Sequence, residues 1–134
     1  MKILIIDAQG GGIGKQLVTA IKQNIPQVEI TAVGTNNAAT SAMLKAGAEN
    51  AATGENAVIV GCRKADVIIG PIGIIIADSL LGEITPAMAV AIGQSSAKRI
   101  LIPINQCDNI IVGVPELGIG KLIQGVIDIL KELI

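Results

Sequence analysis

Glycines are concentrated in one short segment that follows the first apolar run of the chain. Residues 3–6 are all Ile or Leu, and glycines follow at positions 10, 11, 12 and 14. Glycines let a backbone approach a ligand closely, and a helix that begins there offers free amide N–H groups to a phosphate. They also shape tight turns in proteins that bind nothing. We predict a nucleotide-phosphate site, whose candidate residues are Asp7, Gln9, Gly10, Gly11, Gly12, Ile13, Gly14 and Lys15.

The spacing of these glycines departs from three known nucleotide motifs. A dinucleotide fingerprint GxGxxG that began at Gly10 would need glycine where Lys15 stands. The turn of short-chain dehydrogenases is similar through residues 12–14, but Ala8 replaces their first glycine and the chain has no tyrosine to act as their base. The segment 11–15 also resembles the P-loop of partition-type ATPases, with Gln16 in place of the Mg²⁺-binding Ser or Thr. An active ATPase is not expected, and the ligand stays open between NAD(P) and another nucleotide.

Few side chains can act as a general acid or base. The chain has no histidine, the side chain that titrates naturally near pH 7. Asp7 ends the first apolar run and is the foremost functional carboxylate, either for Mg²⁺ or a hydroxyl group or simply to accept hydrogen bonds from loop amides. Asp78 and Glu83 lie in the most apolar region, where a carboxylate must be exposed, paired or at an interface. A catalytic role for either is the weaker interpretation.

Polar and glycine-bearing turns follow the other predicted strands. In doubly wound sheets, ligands bind beyond the carboxyl ends of the strands, at the switch in strand order. Thr35 and Asn36 follow the second strand, where they could bind a sugar or cap the next helix. Gly70 and Pro71 follow the fourth strand, and Asn105 follows the fifth. We include all five in the candidate cofactor site.

The elements that must position these residues alternate between strand and helix patterns. This alternation predicts one α/β domain over residues 1–134, a three-layer, doubly wound, mostly parallel sheet of the Rossmann-like type. Thr85 and Pro86 are typical of a helix start. Strands are predicted at residues 3–6, 28–33, 51–52, 67–69, 99–104 and 109–114, and helices at 13–25, 37–46, 55–65, 74–81, 86–93 and 122–134.

Composition excludes several classes of partner. The 134-residue chain has no Phe, Tyr or Trp and a net charge of −1, so it lacks both the aromatic platforms and the basic surface typical of nucleic-acid binding. Its uncharged runs are too short for a membrane span, and residues 1–7 lack a signal-peptide pattern. Cys62 and Cys107 lie 45 positions apart with no CxxC spacing, which favours two buried reduced thiols and leaves a redox pair or disulfide as the alternative. No metal site is predicted. We expect a cytoplasmic protein, and the apolar segment 74–93 favours a homo-oligomer.

Three segments together resemble a known family. They are DAQGGGIGK at residues 7–15, GPIG with ADSLLGEITP within residues 70–86, and IPIN at residues 102–105. They are similar to a small bacterial family catalogued as a domain of unknown function, over essentially the whole chain. The resemblance implies a short stand-alone protein and transfers no activity, cofactor or catalytic residue.

Three functions remain open at this point. The first is a nucleotide-binding module without chemistry of its own. The second is an oxidoreductase or transferase subunit that uses a bound NAD(P), although the absence of His and Tyr counts against it. The third is a structural or assembly protein in which the glycine-rich segment is only a turn. Saturable nucleotide binding separates the first two from the third, and turnover with a second substrate separates the second from the first.

Overall fold

A parallel β-sheet forms the centre of the protein. The computed structural model describes residues 1–104 and 108–134, and within these the sheet has five strands in the order β3-β2-β1-β4-β5, all parallel. The strands are β1 (Lys2–Asp7), β2 (Glu29–Gly34), β3 (Asn50–Thr53), β4 (Val67–Pro71) and β5 (Lys98–Ile102). This order confirms the doubly wound α/β prediction and places the switch in strand order between β1 and β4.

Helices cover both faces of the sheet. They are α1 (Gly12–Asn24), α2 (Asn37–Lys45), α3 (Glu55–Lys64), α4 (Pro86–Gln94) and α5 (Ile119–Leu133). Because side chains alternate along a strand, Ile3 and Ile5 pack in one core cluster with residues of α1, α2 and α5, whereas Leu4 and Ile6 pack in a second with residues of α3 and α4. Within the described ranges, no helix has the length and hydropathy needed to cross a bilayer.

Strand β1 is apolar throughout because it is covered on both faces. Ile3 to Ile6 are at most 1% exposed, as a central parallel strand requires. Its register aligns Asp7 with Gly34 of β2, which in turn aligns with Thr53 of β3. The turns that follow these three strands therefore emerge side by side at the carboxyl edge of the sheet.

Two predicted elements were wrong. The helix predicted at 74–81 is a short 3₁₀ helix, Ile72–Ile75, followed by turns in which Asp78, Leu80 and Leu81 adopt left-handed φ of 65°, 54° and 59°. The predicted strand at 109–114 is also wrong, because residues 108–114 are irregular. Its β-branched residues suit a strand, but a strand forms only with a hydrogen-bonding neighbour, and β5 pairs only with β4 in the described sheet.

Candidate functional site

The glycine turn between β1 and α1 uses its glycines in two different ways. Gly11 has a left-handed φ of 74°, and a Cβ there would lie 2.7 Å from the Ala39 Cα atom of α2. A Cβ on Gly14 would lie 2.5 Å from the Met43 sulfur. Gly11 is required because the backbone of α2 lies against it, whereas a side chain at Gly14 would have to displace the Met43 side chain.

Neither backbone conformation nor packing requires glycine at positions 10 and 12. Neither Gly10 nor Gly12 has a positive φ, and a Cβ on either would meet no atom within 4 Å. Both are exposed, so they leave the outer face of the turn open. Their lack of a side chain is consequently not explained by packing within the described part of the protein.

Asp7 occupies the inner face of the same turn. Its side chain is 5% exposed, and its carboxylate accepts hydrogen bonds from the Ala8 amide at 2.8 Å and the Gly14 amide at 2.7 Å. Burial raises the pKa of Asp7, the two amides lower it in part, and the nearby Glu83 carboxylate raises it, leaving the pKa above its ordinary value. Of the two roles considered for Asp7, the structure shows the binding of loop amides.

The outer amides of the turn remain available. Within residues 1–104 and 108–134, the amides of Gly10, Gly12 and Ile13 have no hydrogen-bond partner, whereas Gly11 donates to Ala8 and Lys15 to Gly11. Free N–H groups at a helix start attract anions, and the helix dipole adds to the effect. Lys15 is exposed and forms no ion pair with the described residues. The outer face therefore offers amide donors and one cation to an anionic group.

Glu83 reaches this edge from a distant part of the sequence. Its Oε1 atom accepts from the Thr35 hydroxyl at 2.6 Å, the Asn36 side-chain amide at 2.7 Å and the Gln9 backbone amide at 3.1 Å. Burial acts to raise the pKa of Glu83, but these hydrogen bonds outweigh burial and hold the pKa below its ordinary value. The sequence indicated only that this carboxylate needs a partner or exposure, and gave no signal for which partners.

Buried residues and backbone hydrogen bonds hold the segment that carries Glu83 in place. Leu80 and Ile84 are 5% and 0% exposed and belong to the core cluster on the α3 and α4 face. The Asp78 amide donates to the Ile84 carbonyl at 2.7 Å, and the Ser79 hydroxyl donates to the Gly73 carbonyl. These contacts carry the chain from the end of β4 across β1 to the end of β2. Glu83 is thus placed by buried neighbours.

Thr35 and Asn36 lie at the end of β2 as predicted, and both are engaged. Asn36 caps α2 by accepting from the Ala39 amide at 3.0 Å, while its NH₂ group donates to Glu83 and to the Gln9 carbonyl. Both side-chain N–H donors of Asn36 are therefore in use. The Thr35 hydroxyl donates to Glu83 and keeps its capacity to accept.

Two of the remaining predicted site residues lie in the packed interior at the end of β4. Gly70 and Pro71 are buried, and a Cβ on Gly70 would lie 2.5 Å from the Ile6 carbonyl oxygen, so packing of β4 against β1 explains this glycine. Asn105 lies outside the described residues. A groove of about 430 Å³ lies beside α3, where Lys2, Glu29 and Lys64 line it near the amino ends of the strands, away from the glycine turn.

Comparison with known proteins identifies a family and a similar fold. Residues 2–134 match the model of a family described as a domain of unknown function (DUF3842). Among solved structures, the chain is similar to a dodecameric FMN-dependent UbiX-like decarboxylase from Escherichia coli O157:H7, with 15% sequence identity and a TM-score of 0.50. The similarity covers 98% of this chain and 94% of that one. No curated protein matches this sequence.

Proposed function

We propose that this chain, which belongs to the family of unknown function DUF3842 as the resemblance predicted, binds a nucleotide at the carboxyl edge of its sheet. Because the family supplies no activity, the proposal depends on the chain's own residues. The ligand's phosphate would lie over the amides of Gly12 and Ile13, beside Lys15. The observation that carries this proposal is that Gly10 and Gly12 have neither a positive φ nor a neighbouring atom to require glycine. Close approach of a ligand would explain them.

The buried Asp7 uses only part of the hydrogen-bonding capacity of the turn. Asp7 accepts from the Gly14 amide, whereas the amides of Gly12 and Ile13 have no acceptor among the described residues. A phosphate on the outer face would receive these two hydrogen bonds and the charge of Lys15. Hydrogen bonds to a charged group each contribute roughly 1.5–3 kcal/mol.

Two kinds of nucleotide are worth testing first. NAD(P) fits the doubly wound topology and the position of the turn. FMN is suggested by the structural neighbour, which is FMN-dependent. Against FMN, the chain has no aromatic side chain on which a flavin ring could stack. The proposal is of binding rather than turnover, because Asp7 and Glu83 already accept hydrogen bonds from the protein and the chain has no histidine.

The test is a thermal-shift panel followed by titration calorimetry. NAD, NADP, their reduced forms, FMN, ATP and GTP would each be added to the full chain, with unfolding read by calorimetry because the chain lacks Trp and Tyr. A ligand at 100 times its Kd should stabilise the protein by about 2.7 kcal/mol. The site is tested by Gly12→Val, which places a side chain over the turn where no protein atom lies within 4 Å.

Gly125→Val is the matched control, because its Cβ in α5 also meets no atom within 4 Å. We expect saturable binding of one nucleotide to the wild type and to the control, and at least about tenfold weaker binding to Gly12→Val. A panel in which no nucleotide binds would refute the proposed function. Equal binding to both variants would place the ligand elsewhere.

A second candidate is assembly with further copies of the chain. Part of the segment 74–93 is used internally, since Ile74, Ile84 and Ile92 are fully buried. Leu81, however, is 94% exposed and has a left-handed φ of 59°, a conformation that favours Gly or Asn over Leu. An exposed leucine held in this way suits a contact surface, and the structural neighbour is dodecameric.

Light scattering at micromolar concentration tests this candidate. We expect an oligomer in the wild type that Leu81→Glu weakens. Leu44→Glu serves as the control, because Leu44 on α2 is also exposed, at 51%. A monomeric wild type, or equal loss of the oligomer in both variants, would count against a role for Leu81 in assembly.

A further inference from the structure

We infer that Glu83 recognises the hydroxyl groups of the nucleotide's sugar and thereby selects a ligand whose ribose carries no additional phosphate. This inference rests on the proposed function and names the ligand class for the same site. Its basis is the arrangement of Glu83, Thr35 and Asn36 beyond the end of β2, next to the first residues of the glycine turn.

The position of the carboxylate suits contact with a sugar. In dinucleotide-binding folds a phosphate at the first helix places the adjoining ribose near the end of the second strand, where an acidic residue accepts from its hydroxyls. The chain has no Asp or Glu at that point in the sequence, since Gly34 is followed by Thr35, Asn36 and Asn37. Glu83 brings a carboxylate there from the segment between β4 and α4.

The hydrogen bonds of Glu83 leave one of its two oxygens open to a ligand. Oε1 accepts from three donors, whereas Oε2 receives only the longer, shared bond from the Gln9 amide at 3.2 Å. An ionised carboxylate has about four acceptor positions, so Oε2 keeps acceptor capacity, as does the Thr35 hydroxyl. The surroundings are therefore rich in acceptors, and the complementary group is a hydroxyl that donates.

Charge at this position acts against an additional phosphate. In the described part of the chain, Glu83 has no ion-pair partner, and all the groups that hydrogen-bond to it are neutral. Asp7 lies close enough to interact electrostatically with Glu83. A phosphate on the ribose hydroxyl would lie beside the Glu83 carboxylate, which has no ion-pair partner among the described residues, and like charges brought together in this way weaken binding.

NAD and NADP form the probe pair, because they differ only in the 2′-phosphate. We expect calorimetric titration of the wild-type chain to give at least about tenfold tighter binding of NAD than of NADP. Glu83→Gln should weaken NAD by about tenfold, because a charged acceptor is lost, and should reduce the preference for NAD over NADP. Glu132→Gln on the exposed face of α5 is the control for the change in net charge and should leave both affinities as in the wild type.

The outcomes separate this inference from the proposed function. Equal affinity for NAD and NADP in the wild type would overturn the inference alone, with no variant required. Tighter NAD binding by Glu83→Gln would overturn it too, because Glu83 would then occupy the site in place of the ligand. Binding of FMN without NAD or NADP would overturn it and leave the proposed function standing. Absence of binding by any nucleotide would overturn both.

Discussion

The two classes of glycine in the turn predict opposite effects of the same substitution. Gly11→Ala adds a methyl group at a φ of 74°, 2.7 Å from the backbone of Ala39. The left-handed backbone costs an alanine roughly 1–2 kcal/mol, and the overlap with α2 adds about 1–3 kcal/mol because backbone cannot yield as a side chain can. The expected loss of unfolding free energy is therefore about 3 kcal/mol.

Gly12→Ala adds the same methyl group one residue later, at the first position of α1, where it meets no atom within 4 Å. The substitution restricts the unfolded chain and favours the helix, so we expect a gain of about 0.5 kcal/mol. The two variants should then differ by about 3.5 kcal/mol, which corresponds to roughly 14 °C in Tm for a domain of this size.

Urea unfolding followed by circular dichroism measures the difference without any aromatic reporter. Equal slopes against urea concentration would show that the two variants unfold from comparably compact states. If Gly12→Ala loses as much stability as Gly11→Ala, then Gly12 is required by the fold, and the argument that a ligand explains this glycine fails. If Gly11→Ala is neutral, the close packing of the turn against α2 is wrong.

Three further predictions follow from individual contacts. Because the pKa of Glu83 is lower when folded than its ordinary 4.5, its stabilisation is fully present above pH 4.5 and is lost as the pH falls through the lower folded value. Glu83→Gln should therefore cost about 1 kcal/mol at pH 7, after allowance for partial exposure, and progressively less as the pH falls below 4.5. A cost that does not change with pH would contradict the assigned hydrogen bonds. Burial raises the pKa of Cys62 to about 11. In a Cys107→Ser background, the Cys62 thiol should therefore react with Ellman's reagent at pH 8 only after denaturation. Rapid reaction of the native protein would contradict the burial of Cys62. Gly34→Ala places a Cβ 2.5 Å from the Thr40 backbone nitrogen and should cost about 3 kcal/mol in urea unfolding, whereas a loss below about 1 kcal/mol would show that the start of α2 can move aside.

The fold could be predicted because its signals are local. Runs such as residues 3–6 and 67–69 read as buried strands, and the apolar spacing from Ile13 onward reads as a helix packed on one face. Thr85 with Pro86 marks the start of α4, and the Thr85 hydroxyl accepts from the Met88 amide at 3.2 Å. Each of these features depends on residues a few positions apart, which is the range over which periodicity and capping act.

The failed elements depended on neighbours that the sequence does not specify. Residues 109–114 have the β-branched composition of a strand, but Ile110 and Val112 are more than 90% exposed. A strand needs a partner ladder, and composition cannot supply one. Residues 74–81 contain helix-compatible apolar spacing, yet the left-handed residues at 78, 80 and 81 form turns that let Leu80 enter the core while Leu81 faces solvent.

The role of Glu83 could not be derived because its partners are far away in the chain. Gln9 and Thr35 lie 74 and 48 positions from it. The sequence indicated only that a carboxylate in an apolar segment must contact hydrogen-bond donors or water. Once the strand order is known, the requirement becomes specific, because β4 lies beside β1 and its following segment can reach the donors at the ends of β1 and β2.

The individual surroundings of the glycines in the turn indicate more about a ligand than their number does. Four glycines near a strand end suggest a phosphate site, yet Gly11 is explained by contact with the α2 backbone and Gly14 packs against the side chains of Met43 and Asp7. Asp7 further occupies one of the amides that a phosphate would otherwise use. Only Gly10, Gly12 and the free amides beside them therefore indicate a ligand. A substitution at position 12 tests whether a ligand binds there without disturbing the packing of Gly11 and Gly14 against α2.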